Sequence, residues 1–164
     1  MRQRLHNRLP RWHRRTIYAL TGLLTASGLA WLVAVYLLAP TGEPTPAPHP
    51  LAGPLLAVHG IAAYGALFAC GLAGHAHLRT GWKLRASRGA GLSLGAAILA
   101  LVLTGLGFYY SANEAAAPWL RWPHVVAGLA LPSVLAWHIV RGRRLTRSGW
   151  AKSAQSSAVP PQAD

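Results

Sequence analysis

The sequence predicts an all-α integral membrane protein, an antiparallel bundle of four transmembrane helices with both termini in the cytoplasm. Its low charge, its four long apolar segments and the side on which its basic residues fall predict this fold. Only 12% of the 164 residues are charged, about half of the roughly 25% typical of soluble domains. Four segments contain no Asp, Glu, Lys or Arg, at residues 16–39, 51–78, 89–111 and 123–140. Each has a length near the ~20 residues that cross a bilayer core.

The first two spans are joined by a proline-rich loop. The first, at 16–39, follows a basic arm at residues 1–15. Residues 40–50 then contain five prolines, which lack the backbone donor that a helix needs. They therefore predict a short outer loop that leads into the second span at 51–78.

The third and fourth spans complete the bundle. The third covers residues 89–111, and the fourth extends over about 119–141 because Trp119 and Trp122 are typical of a membrane interface. Residues 142–164 end in a stretch rich in Ser, Ala, Gln and Pro. We predict that they form a disordered cytoplasmic tail.

Basic residues lie almost entirely on one side of this arrangement. All but Arg121 of the sixteen Lys and Arg residues precede the first span, lie between the second and third, or follow the fourth. This is the positive-inside pattern, and it predicts cytoplasmic termini in a bacterial inner membrane. In a soluble protein the net charge of +13 would indicate nucleic acid. Here it marks topology, so membrane lipid and not nucleic acid is the expected partner.

Four histidines lie inside the otherwise uncharged segments. An ionisable side chain at membrane depth is costly and by default indicates function. The step from His124 to His138 is about four helical turns, which places both imidazoles on nearly one face of the fourth helix, about 21 Å apart along its axis. The step from His59 to His77 is about five turns, so these two share one face of the second helix. His59 is therefore expected to meet His124 at an outer depth. His77 is expected to meet His138 at an inner depth.

The inner histidine of the second helix has an alternative in His75. Its separation from His59 is closer to the spacing on the fourth helix, but this step of about four and a half turns places it on the opposite face of a straight helix. Distortion near Gly71 or Gly74 would turn it inward. We favour His77 and keep His75 as its alternative.

Two pairs of neutral imidazoles inside an apolar bundle suit the axial positions of two haems. The sequence has a lone Cys70 and lacks a C-x-x-C-H motif, which excludes covalent attachment, so both haems would be non-covalent, b-type groups. Gly28, Gly60 and Gly105 lie at depths where a porphyrin would approach the backbone closely. Arg121 is expected to contact a haem propionate or Glu114. No residue is assigned a catalytic role, and whether the chain is an enzyme subunit stays open.

Two other functions are compatible with four apolar helices. One is a membrane anchor or assembly subunit of a redox complex, whose histidines only pack. The other is a metal-ion transporter. Zinc and copper sites normally add Cys, Asp or Glu ligands, whereas no acidic residue lies in any span. The sequence therefore favours haem over a bare metal ion.

A short internal repeat relates the two halves of the chain. Ser27-Gly28-Leu29-Ala30-Trp31 in the first helix is echoed by Thr104-Gly105-Leu106-Gly107-Phe108 in the third. After each, an outer loop leads into a helix with an early histidine. The two helical pairs are thus predicted to be parallel copies about an axis along the membrane normal.

With ligands on the second and fourth of four helices, the chain resembles the membrane cytochromes b, including the cytochrome subunits of respiratory hydrogenases and formate dehydrogenases. More closely, over about residues 16–141, His77-Leu-Arg-Thr-Gly-Trp82 with His59 upstream is similar to the H-x-x-x-x-W element of the flavinylation-associated cytochrome family. The resemblance implies transmembrane electron transfer through b-type haem. The expected partners are a quinone or cytoplasmic-side donor and a periplasmic flavin- or haem-bearing protein. The extra His75 departs from the family pattern.

Overall fold

The computed structural model describes residues 10–38, 49–83, 88–110 and 117–157. These residues form four α-helices: α1 (Arg11–Tyr36), α2 (Ala52–Lys83), α3 (Arg88–Tyr110) and α4 (Ala117–Ser157). All four are long and apolar enough to cross a membrane, and the described ranges contain no strand. The predicted all-α fold with four potential membrane spans is therefore confirmed.

Several helix ends differ from the predicted spans, most of all the beginning of α1 and the end of α4. The last part of the predicted basic arm belongs to α1, which begins directly after Pro10 at Arg11, because arginine is a good helix former and nothing interrupts the chain there. At the other end, α4 continues to Ser157, through residues that we predicted to be disordered. No proline lies between Pro132 and Pro160 to stop it. The rest of the predicted arm and tail, at 1–9 and 158–164, lies outside the described residues.

Small side chains lie between the helices, and large ones face outward. Among the described residues every buried hydrophobic side chain is an alanine, as at Ala34 and Ala62. Ile61 and Phe68, in contrast, are 73% and 70% exposed. Small residues at helix contacts and large apolar residues on the outer surface are typical of helices that pack within lipid.

The four helices associate as two hairpins. α1 packs along α2 and α3 packs along α4, whereas the two hairpins touch more sparsely, through α1 with α4 and through α2 with α3. Over the described ranges, no Cα atom of α2 comes within 8 Å of one in α4. The two helices that carry the paired histidines therefore face each other across a gap.

A buried histidine joins the helices of the first hairpin. The His13 side chain is 4% exposed, and its Nε2 lies 2.9 Å from the carbonyl oxygen of Ala69 in α2. Because a carbonyl oxygen can only accept, His13 donates from Nε2. From the sequence alone His13 has no assigned role, because it lies outside the predicted first span.

Arg121 joins the two hairpins at the opposite end of α1. Its Nη1 donates to the hydroxyl oxygen of Tyr36 over 2.9 Å. The sequence predicted a contact with Glu114 or with a haem propionate instead. Glu114 lies outside the described residues, and the partner observed is Tyr36.

Candidate functional site

His59 of α2 and His124 of α4 meet across the gap between the hairpins. Their ring centres lie 6.3 Å apart, and the ring planes are inclined by 65°. Both side chains are half-buried. Phe108 packs against His124 with its ring plane inclined by 76° and 5.9 Å between ring centres. The structure therefore brings together the two residues predicted to share the outer depth.

Each outer imidazole is held by a hydroxyl group from the other helix of its own hairpin. The Ser27 Oγ of α1 lies 3.0 Å from His59 Nδ1. The Thr104 Oγ1 of α3 lies 2.9 Å from His124 Nδ1. The internal repeat found in the sequence thus places a hydroxyl beside an imidazole in both hairpins.

The direction of these hydrogen bonds follows from where the hydroxyl protons go. Ser27 Oγ donates to the carbonyl oxygen of Leu23 over 2.7 Å, and Thr104 Oγ1 donates to that of Ala100 over 2.6 Å. A hydroxyl has one proton to donate, so each one accepts a hydrogen bond from Nδ1–H of its histidine.

This hydrogen bonding determines the tautomer of both outer histidines. With the proton on Nδ1, the lone pair of a neutral imidazole lies on Nε2. A hydrogen bond to the other ring nitrogen is the usual way in which proteins orient an imidazole that binds a metal. The outer pair can therefore supply two Nε2 ligands.

Two of the three predicted glycines lie directly against these histidines. A Cβ atom at Gly28 would lie 3.3 Å from His59 Cε1, and one at Gly105 would lie 3.6 Å from His124 Cε1. The absent side chain at Gly28 thus gives His59 room to lie against α1. A Cβ at Gly60 would meet nothing within 4 Å, so Gly60 has no such contact.

His77 of α2 and His138 of α4 form the second pair. Their ring centres lie 5.9 Å apart, with 72° between the ring planes. His77 is exposed and His138 is half-buried, so this pair is the more open of the two. His75 lies within α2, but its side chain is outside the described residues. The structure thus places the favoured residue, His77, beside His138.

The inner pair lacks one hydroxyl that the outer pair has. His138 Nδ1 is buried and has no hydrogen-bond partner among the described residues. On α4, His138 follows His124 by fourteen residues. On α3, which runs in the opposite direction, Ala90 and Gly91 precede Thr104 and Gly105 by the same fourteen residues. Gly91 lies beside His138 as Gly105 lies beside His124, because a Cβ atom at Gly91 would lie 4.0 Å from His138 Cε1. Ala90, which is 1% exposed, therefore occupies the position of the missing hydroxyl.

Sequence reasoning missed Ala90, Gly91 and the hydrogen bonds of Ser27 and Thr104. The repeat brought Ser27 and Thr104 to notice, but hydroxyl groups in membrane helices commonly bond to their own backbone, so their second partner was not foreseen. Gly91 could have been found from the sequence, because it precedes Gly105 by the same fourteen residues that separate the two histidines of α4.

Comparisons of the chain with protein-family models, with curated proteins and with solved structures found no match.

Proposed function

We propose that this protein is a dihaem b-type membrane cytochrome that transfers electrons across a bacterial inner membrane. It would be an antiparallel four-helix transmembrane bundle with both termini in the cytoplasm. The observation that carries the proposal is the outer pair, in which two hydroxyl groups hold Nδ1–H of His59 and His124 and leave both Nε2 atoms to bind a metal. A histidine that only packs does not need this arrangement on both sides of a gap.

The spacing within each pair is compatible with shared ligation of one metal ion. An imidazole nitrogen binds a metal at about 2 Å, so two imidazoles on opposite sides of one ion have ring centres about 6 Å apart. The observed separations are 6.3 Å and 5.9 Å. Rings in edge contact can have the same spacing, so the distance supports the proposal and the hydroxyl contacts carry it.

The number of ligands favours haem over a bare metal ion. Among the described residues there is no group of three or more His, Cys, Asp or Glu that could hold a metal ion. Two imidazoles are enough for haem, because the porphyrin supplies the other iron ligands. Zinc and copper sites usually have three or four protein ligands. The transporter alternative is therefore the weaker one.

The residues of the chain have separable tasks in this proposal. His59 with His124 would hold the outer haem, and His77 with His138 the inner one. Bound haem supplies reversible one-electron oxidation and reduction of iron, with a potential that depends on its ligands, their hydrogen bonds and burial. Ser27 and Thr104 orient the outer ligands, and the surrounding apolar side chains exclude water. The resemblance to the flavinylation-associated cytochromes suggests a quinone and a periplasmic flavin- or haem-bearing protein as partners.

The absorbance spectrum of the purified full-length protein tests the proposal. We expect sharp visible bands on reduction, typical of haem with two histidine ligands, and about two haems per chain by chemical assay. Acid–acetone should extract the haem, because no thioether bond attaches it. A protein that contains no haem after expression with ample haem supply would favour the anchor alternative, and zinc in its place would favour a transporter.

Ala90→Ser should alter the inner haem alone. The new hydroxyl would accept a hydrogen bond from His138 Nδ1, as Thr104 does for His124, and the more basic ligand should lower the inner potential. One ordinary hydrogen bond corresponds to a shift on the order of tens of millivolts. A redox titration followed by absorbance measures both potentials. Ala34→Ser, at another buried alanine, is the control; equal shifts in both variants would contradict the assignment.

A further inference from the structure

A groove between α1 and α4 ends in a cluster of arginines. Six residues of α1 between Tyr18 and Leu29 line one wall of the groove, and six residues of α4 between Pro132 and Arg143 line the other. In both sets the steps are alternately three residues and one, which places each set on one face of its helix. The groove is shallow and open, with a volume of about 700 Å³. Tyr18 and Arg143 also line the arginine cluster, so the groove and the cluster adjoin at these two residues.

The walls of the groove are apolar although they include two threonines. Thr21 and Thr25 donate their hydroxyl protons to carbonyl oxygens of α1 itself, over 2.8 Å and 2.9 Å. Gly22, Ala26 and Ala136 leave room between the helices. An occupant of this groove would meet mainly hydrocarbon.

The length of the groove matches one leaflet of a membrane. The eleven-residue step from Tyr18 to Leu29 corresponds to about 16 Å of helix. The hydrocarbon core of a bilayer is about 30 Å thick, so each leaflet contributes about half. Beyond the end of the groove that lies away from the arginines, the hydrogen bond from Arg121 to Tyr36 joins α4 to α1. A lipid acyl chain that enters from the arginine end would therefore fit along the groove.

No Asp or Glu lies in the described ranges 10–38, 49–83, 88–110 and 117–157, so no described side chain can neutralise the arginine cluster. Arg11, Arg14, Arg15 and Arg143 line one space of about 270 Å³ together with Tyr18. The whole sequence has only three acidic residues against sixteen basic ones, and two of them, Glu43 and Glu114, lie in the predicted outer loops. The first turn of α1 adds the positive end of a helix dipole. The arginine cluster should therefore attract an anion from outside the protein.

We propose that the groove and the cluster together bind one anionic phospholipid of the cytoplasmic leaflet. Its phosphate would lie among the arginines, whose planar guanidinium groups match phosphate geometry, and one acyl chain would lie in the groove. Basic clefts between transmembrane helices on the cytoplasmic side are suited to such headgroups. The inference goes beyond the proposed electron transfer and uses none of the haem ligands, so each can fail without the other.

Native mass spectrometry of the delipidated full-length protein tests the site. Phosphatidylglycerol is titrated against phosphatidylcholine of the same acyl chains. We expect selective binding of one phosphatidylglycerol, weakened about fivefold for each of Arg14→Gln and Arg143→Gln, since each basic side chain adds about that factor near anionic lipid. Gly22→Leu should also weaken binding by filling the groove. Arg144→Gln is the matched control, because Arg144 is exposed beside Arg143 but does not line the cluster.

Several results would overturn the proposal. Equal binding of the two lipids would exclude headgroup recognition, and equal weakening by Arg144→Gln would indicate diffuse attraction to the basic surface. Competition by inorganic phosphate at lipid-like concentrations would indicate a site for a free anion. A groove-filling variant that changes the oligomeric state and leaves lipid binding intact would indicate that a second copy of the chain occupies the groove. Because the arginine variants leave the apolar spans unchanged, they keep the test decisive if Gly22→Leu does not fold.

Discussion

His124→Ala should reduce the haem content of the purified protein by about half. His124 and His59 are the imidazoles that share the outer depth, and their rings face each other with 6.3 Å between centres. In the proposed cytochrome, removing one of them would leave the outer haem with one histidine ligand, whereas the inner haem would keep both His77 and His138. Haem per protein from a pyridine haemochrome assay, together with a redox titration, should then show one remaining species. Insertion should persist, because it depends on apolar length and flanking charge.

The complementary variants make this result specific. His138→Ala should also halve the haem content, but the haem that remains should be the outer one, with a different potential from the haem that remains in His124→Ala. Thr104→Val keeps the His124 imidazole and removes the acceptor of its Nδ1–H, so it should weaken outer haem binding by about 10- to 100-fold, as loss of such a partner does in metal sites. Ser93→Ala, which removes a hydroxyl that bonds to the carbonyl oxygen of Gly89 within α3, is the matched control. Full haem retention in His124→Ala would contradict the pairing of His59 with His124.

The fold was predictable because the membrane imposes two simple requirements, apolar length and satisfied backbone hydrogen bonds. A span needs about twenty apolar residues, and all four apolar segments became helices such as α3 (Arg88–Tyr110). The helix ends were not predictable from hydropathy, because an arginine stretch such as residues 11–15 can extend a helix as well as end one. Composition alone also misjudged residues 142–157, where no proline interrupts α4 (Ala117–Ser157).

The histidine pairs were predictable because they depend on helix periodicity and on the depth of each residue within its span. A step of about five whole turns returns a helix to the same face, which selected His77, and the structure places that ring beside His138. The contacts of Ser27 and Thr104 with the outer histidines depend on how two helices of a hairpin align, and no single-helix pattern contains that alignment. The same holds for His13, whose partner Ala69 lies on another helix.

The two depths are chemically unequal. At the outer depth both Nδ1 atoms have hydroxyl partners, while at the inner depth His138 Nδ1 has none among the described residues, and His77 is exposed. Hydrogen bonding and solvent exposure of the ligands both change the potential of a haem. In the proposed cytochrome the two haems should therefore have different potentials, and a redox titration should resolve two separate transitions.

His77→Ala should remove the inner haem, whereas His75→Ala should keep it with a modestly shifted potential. The two residues are two positions apart on α2 (Ala52–Lys83), so their side chains leave the helix about 200° apart and only one can face His138. His77 shares the face of His59 and lies with its ring centre 5.9 Å from that of His138. Haem content and redox titration of both variants decide between them, with loss of about half the haem expected only for His77→Ala.

Either of two other results would change the interpretation of the inner site. Loss of the inner haem in His75→Ala but not in His77→Ala would mean that α2 is distorted near Gly71 or Gly74 when haem is bound, so that His75 turns toward α4. Retention of both haems in both single variants and in the double variant His75→Ala/His77→Ala would mean that neither residue is a ligand, and the two-haem proposal would then fail at its inner half. If both single variants keep the inner haem but the double variant loses it, each histidine can replace the other as the ligand.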